Sequence, residues 1–105
     1  MATNTITPAT AQSWAAKWQQ DPANTTKAFL IPKDDITQLF QYDGVCDVRT
    51  YFGIDENGNQ KLMIVGVDAN GNDLIDDTKQ QYIYDFAQTC PPKCDNNSPL
   101  FNPKP

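Results

Sequence analysis

The residues best able to do chemistry lie in "DANGNDLIDDTK", which begins at Asp68. Asp68, Asn70 and Asn72 stand at positions 1, 3 and 5 of an EF-hand-like loop, and Asp76 at position 9. Oxygen ligands at that spacing suit a hard cation. Two positions depart from the pattern: Asp73 replaces the glycine of the sharp bend, and Lys79 replaces the bidentate glutamate. A calcium site built from Asp68, Asn70, Asn72 and Asp76 is therefore expected to be weak. The plainer reading of the same stretch is a turn.

The cysteines are the next candidates. In "CPPKC" three residues separate Cys90 from Cys94, not the two of a redox motif. With Cys46 the chain has three cysteines and no histidine, short of the four ligands a structural zinc takes. Inert thiols are the ordinary expectation, with Cys46 on a core face. In an oxidising compartment a Cys90–Cys94 bridge, or one to Cys46, would staple the end of the chain.

Catalysis finds little here. Without histidine the commonest general acid–base residue is missing. Ser13 and Ser98 sit in no nucleophile motif, and no glycine loop of the phosphate-cradling type occurs. Asp47 and Asp68 are expected to face each other across a sheet, where two carboxylates can raise one another's pKa. At a water-exposed sheet end they more commonly just repel. The expectation is a protein that is not an enzyme and carries no cofactor, calcium aside.

Charge narrows the partners. The formal net charge is −5, and residues 45–89 carry Arg49, Lys61 and Lys79 against eight acids. Nucleic acid and anionic membranes require the opposite sign. No apolar run is long enough to span a bilayer, and the start shows no secretory pattern. The default address is the cytoplasm, with export by an unread signal left open.

The elements that position these residues can be read by period. In "TPATAQSWAAKWQQDP", Ala11, Trp14, Ala15 and Trp18 fall on one helical face, with Thr7 as N-cap and Pro8 at the first helical position. "KAFLI" reads as a short strand. "PKDDITQLFQYDG" reads as a second helix with Ile36, Leu39 and Phe40 inward and Gly44 as its stop. From Val45 the period becomes two. "QQYIYDFAQ" suits a last strand, although Ile75, Lys79, Tyr82 and Phe86 also share a helical face. Residues 1–89 form the domain, and the proline-rich residues 90–105 an extended tail.

"GIDENGN" and "GVDANGN" repeat thirteen residues apart. With Asn57-Gly58 and Asn70-Gly71 at the centres of two-residue hairpin turns, Phe52 faces Met63, Thr50 faces Val65, and Val67 faces both Val48 and Leu74. One face then gathers Val48, Phe52, Ile54, Met63, Val65, Val67 and Leu74 as core. The loops lie about 26 Å apart along a strand rising about 3.3 Å per residue, so no single ion touches both. The fold class is α+β: an antiparallel β-meander of three to five strands packed by two helices.

The opposite sheet face carries Tyr51, Leu62, Ile64 and Ile75. Either a helix covers it, with Trp14 and Trp18 in the core, or it meets a partner. The segments "KAFLIPKDDI", "GVCDVRTYFGID", "LMIVGVDANGND" and "YDFAQTCPPKC" resemble a group of small uncharacterised proteins of Bacteroidetes-type bacteria. That resemblance covers residues 27–94 and implies a reusable small bacterial domain, with no activity to transfer. The leading expectation is a non-catalytic interaction or assembly module, whose partner is a protein, including another copy of itself. A weak calcium-binding module is the alternative.

Overall fold

The computed structural model describes residues 3–102 and is α+β, with two α-helices and antiparallel sheets of two and three strands. The chain divides into two compact units, Met1–Ala28 with Thr89–Pro105, and Phe29–Gln88. No helix among the described residues is long and apolar enough to cross a membrane.

The first unit is organised by α1 (Pro8–Gln20). Thr7 caps it by accepting from the Thr10 amide at 3.2 Å, and Pro8 occupies the first turn, where no amide partner is lost. After the helix, Asp21 accepts from the Ala23 amide and Asn24 donates to the Trp18 carbonyl, turning the chain back. The Trp18 indole donates to the Thr26 carbonyl at 2.8 Å. The C-terminal segment is closed on itself by the Cys90–Cys94 disulfide and is held here by Gln19, which donates to the Leu100 carbonyl, and by Lys27. Lys27 donates to the Phe101 carbonyl and lies 4.1 Å from the centre of its ring.

One expectation fails in this unit. Trp14 and Trp18 were assigned to the core, yet they are 58% and 51% exposed. The covered positions of α1 are Thr10, Ala11, Gln12, Ala15, Ala16 and Gln19, so the expected stripe is covered at Ala11 and Ala15 but not at its tryptophans. The helix packs by its small residues.

In the second unit, α2 (Lys33–Phe40) starts after Pro32 without a side-chain cap, with Asp34 and Asp35 in its first turn. Strands β2 (Asp47–Ile54), β3 (Gln60–Val67) and β4 (Asp73–Leu74) form an antiparallel sheet in that order. The short strands β1 (Ala28–Leu30) and β5 (Gln88–Cys90) pair separately. Residues 75–87 form neither the expected strand nor a helix. They make a 3-10 turn (Asp77–Lys79) and two isolated bridges, Asp76 with Gln81 and Ile64 with Tyr84.

The sheet register differs by one residue from the sequence reading. Phe52 pairs with Leu62, Tyr51 with Met63, Thr50 with Ile64, Val48 with Gly66, and Val67 with Asp73. Phe52 and Met63 therefore lie on opposite faces. The cause is the turn type. Asn57 and Asn70 are not at positive φ; only Gly58 and Gly71 are, both at 82°. Each loop is a β-turn followed by a glycine bulge, with three residues between the last bonded pair. The Gly58 amide donates to Asp55, and the Asp55 amide to Asn59, at 3.1 and 3.0 Å. Gly71 and Asp68 repeat these bonds.

A one-residue shift turns one strand over relative to its neighbour. Leu62 and Ile64 now share a face with Val48, Phe52 and Ile54, while Tyr51 joins Arg49, Met63, Val65 and Val67. Strand β3 is buried on both faces from Ile64 to Val67. Leu39 of α2 approaches it at Gly66, where a β-carbon would also lie 2.9 Å from Val45.

Candidate functional site

The repeated Asp-x-Asn-Gly-Asn loops are explained by their aspartates. Asp55 Oδ1 accepts from the Asn57 and Asn59 amides, both at 2.9 Å, and Oδ2 from the Asn59 side chain at 3.3 Å. Asp68 does the same with Asn70 and Asn72. These are Asx turns, and each residue of the repeat has a local task. The calcium reading shares Asp68, whose Oδ1 holds two amides and whose Oδ2 takes the Asn72 side chain at 3.3 Å. Asp76, its other acid, caps the 3-10 turn through Thr78. No group of three or more metal-binding acids, cysteines or histidines occurs among the described residues.

The amide of Asn59 chiefly, and that of Asn72 at the second loop, hold Asp55 and Asp68 below the ordinary carboxylate value. The folded state therefore favours the ionised form. The stability these groups contribute is present above pH 3.8 and is lost as pH falls through their lower native values. Carbon NMR titration should give Asp55 and Asp68 midpoints below 3.8. Midpoints at or above it would contradict these bonds.

Asp47 pairs with Val67, so the expected Asp47–Asp68 carboxylate pair does not form. The acid that matters on that face is Asp73. Its two oxygens take the Arg49 guanidinium and the Tyr51 hydroxyl, and Arg49 also donates to the Gly71 carbonyl at 3.2 Å. The Tyr51 bond first, then Arg49, holds Asp73 low. This exposed trio ties the second hairpin to β2.

Sequence reasoning missed a polar cluster between α2 and residue 84. The Tyr42 and Tyr84 hydroxyls lie 2.5 Å apart, with Gln38 Oε1 at 3.5 Å from Tyr84. Burial, then Tyr42, pushes the Tyr84 phenol up to about 12. Asp35, one turn from Gln38, is buried, and its Oδ2 has no partner among the described residues. A carboxylate at this third helical position ordinarily reaches back to the amide of the N-cap residue. Here that residue is Pro32, which has none.

The four residues assigned to a partner face are dispersed. Leu62 and Ile64 are buried, Tyr51 lies on the other face of the sheet, and Ile75 is exposed beyond β4. Cys46, expected in the core, is exposed and free. It precedes β2, where its amide and Asp47 both meet Val67.

Exposed large apolar side chains are spread over the chain, and the two most exposed of them stand on β2. This strand is an edge of its sheet, and Phe52 and Ile54 are 81% and 75% exposed. Its hydrogen-bond phase follows from β3. Ile64 exchanges both backbone bonds with Tyr84, at 2.8 and 3.0 Å, so Thr50 opposite it is a non-bonded pair. Val48, Thr50, Phe52 and Ile54 consequently aim their amides and carbonyls away from β3. These even positions carry no charge and no proline, the usual devices that blunt an edge.

The signal for this arrangement was present in the sequence as the aspartate opening each repeat. An Asx turn with glycine at the αL position sets a three-residue connection, and that connection sets the register. No protein family, curated protein or solved structure matches the chain, so the reading of this edge rests on its own geometry.

Proposed function

We propose that the chain is a non-catalytic protein-interaction module that accepts an extended polypeptide strand along the open edge of β2. One observation carries the reading: an eight-residue edge strand whose outward backbone groups accompany the exposed side chains of Phe52 and Ile54. Strand addition uses main-chain bonds for affinity and alternate side chains for selectivity, and this edge offers both. Leu62 and Ile64 serve as the floor beneath Phe52 and not as the contact surface. The Cys90–Cys94 bridge supports an oxidising compartment as the setting, in place of the cytoplasm.

Thr50→Pro tests this with little damage to the fold. The Thr50 amide points away from the ladder, and proline is tolerated in an edge strand on that side. A fluorescent octapeptide of the chain's own β2 sequence, DVRTYFGI, serves as the extended probe. Anisotropy should show binding to the natural chain and about tenfold weaker binding to Thr50→Pro, because the amide donor at position 50 is lost and its opposite carbonyl is left unpaired. Equal binding to both, or none to the natural chain, would sink the reading.

A further inference from the structure

Taking β2 as an acceptor edge, we infer that its occupant is β2 of a second copy, paired antiparallel about a two-fold axis through Phe52. The backbone restricts the choice. Only registers that set even positions against even positions satisfy the outward amides and carbonyls, and of these only axes at Thr50, Tyr51 or Phe52 pair at least three of the even positions from Val48 to Ile54.

Charge and exposure separate the three. An axis at Tyr51 sets Asp47 against Asp55 of the other copy twice, a like-charge pairing that opposes association. An axis at Thr50 sets Phe52 against Val48, which its own chain already half-covers, and leaves Ile54 near the bulged Cys46 end. The axis at Phe52 places Phe52 against Phe52 and Thr50 against Ile54. It also sets Arg49 against Asp55 on the opposite face, and Tyr51 against Gly53.

Opposite charges then meet in non-bonded pairs, where side chains approach most closely. Arg49 meets Asp73 and Gly71 through Nη1, and Asp55 Oδ2 holds only the 3.3 Å Asn59 bond. Both therefore retain capacity for a partner. Phe52, the most exposed large apolar side chain of the strand, lies at the centre of this pairing, and Ile54 closes each end of it against Thr50.

Two measurements on the full chain test the inference. Sedimentation equilibrium of the natural chain should show a reversible monomer–dimer equilibrium. Single cysteines at positions 50, 51 and 52, each in a Cys46→Ser background, report the axis under oxidised glutathione. Only a residue lying on the axis meets its own copy at about 5.5 Å between α-carbons, within disulfide reach. Phe52→Cys should cross-link at least about tenfold faster than Thr50→Cys or Tyr51→Cys. Faster cross-linking at 50 or 51 would overturn the register. A natural chain that stays monomeric at every concentration, yet binds the DVRTYFGI probe, would overturn self-pairing while leaving the acceptor edge standing. Absence of both dimer and peptide binding would remove the two together.

Discussion

Ile64→Asp is expected to abolish cooperative folding. Ile64 has 0% exposure, on the central strand, and both its backbone groups are bound to Tyr84. An aspartate there would carry its carboxylate into a position shielded from water. Burying an unpaired charge costs several kcal/mol even after relaxation, against a total stability of about 5–15 kcal/mol for a small domain. Ile64→Val removes one methylene from the same site and should cost only about 0.5–1.5 kcal/mol. Far-UV circular dichroism with urea titration distinguishes them. Native-like spectra and a cooperative urea transition for Ile64→Asp would show that this side chain is not core. Had Ile64 belonged to a face left for a partner, one of the two alternatives open in the sequence, the same variant would keep its fold and lose only association.

Gly66→Ala is the second large effect. A β-carbon at Gly66 would stand 2.9 Å from Val45 Cγ2, 3.5 Å from its Cγ1 and 3.7 Å from Leu39 Cδ2. The neighbours are a β-branched side chain, which has few rotamers to retreat into, and the fully buried Leu39 of α2. Overpacking of this kind costs about 1–3 kcal/mol. The cost should shrink when Val45→Ala is present, since the clashing methyls are then gone, and a double-mutant cycle reads that coupling directly. Gly53→Ala provides the contrast. Its β-carbon would meet Met63 Cε at 3.0 Å, the free end of a flexible side chain that can swing away. Equal losses at the two glycines would refute the packing of α2 on β3.

The parts of this fold that were legible in the sequence are the ones decided locally. Thr7-Pro8 opens α1, Asp34 and Asp35 open α2, and two Asn-Gly pairs mark two hairpins, all through interactions spanning a few residues. What escaped depends on competition between equally lawful alternatives. Asn-Gly serves a two-residue turn or the end of a longer one, and the aspartate two residues earlier decides between them. That one-residue difference moved Tyr51 away from Leu62 and Ile64, separated Phe52 from Met63, and parted Asp47 from Asp68. Trp14 and Trp18 failed for a related reason. A helix has several stripes at correct spacing, and size alone does not select the buried one. The contact edge could not be read at all before the register was known, because edge status is a property of strand order.

The claim beneath this account is that alternate backbone groups of β2 are open and can be closed by an added strand. Residue-resolved amide exchange by NMR, on dilute protein with and without saturating DVRTYFGI, reads it most directly. The account predicts slow exchange at Arg49, Tyr51 and Gly53 in both states. It predicts rapid exchange at Thr50, Phe52 and Ile54 in the free chain, slowed at least about tenfold by the peptide. Protection of those three amides before any peptide is added, or no change when it binds, would contradict the account.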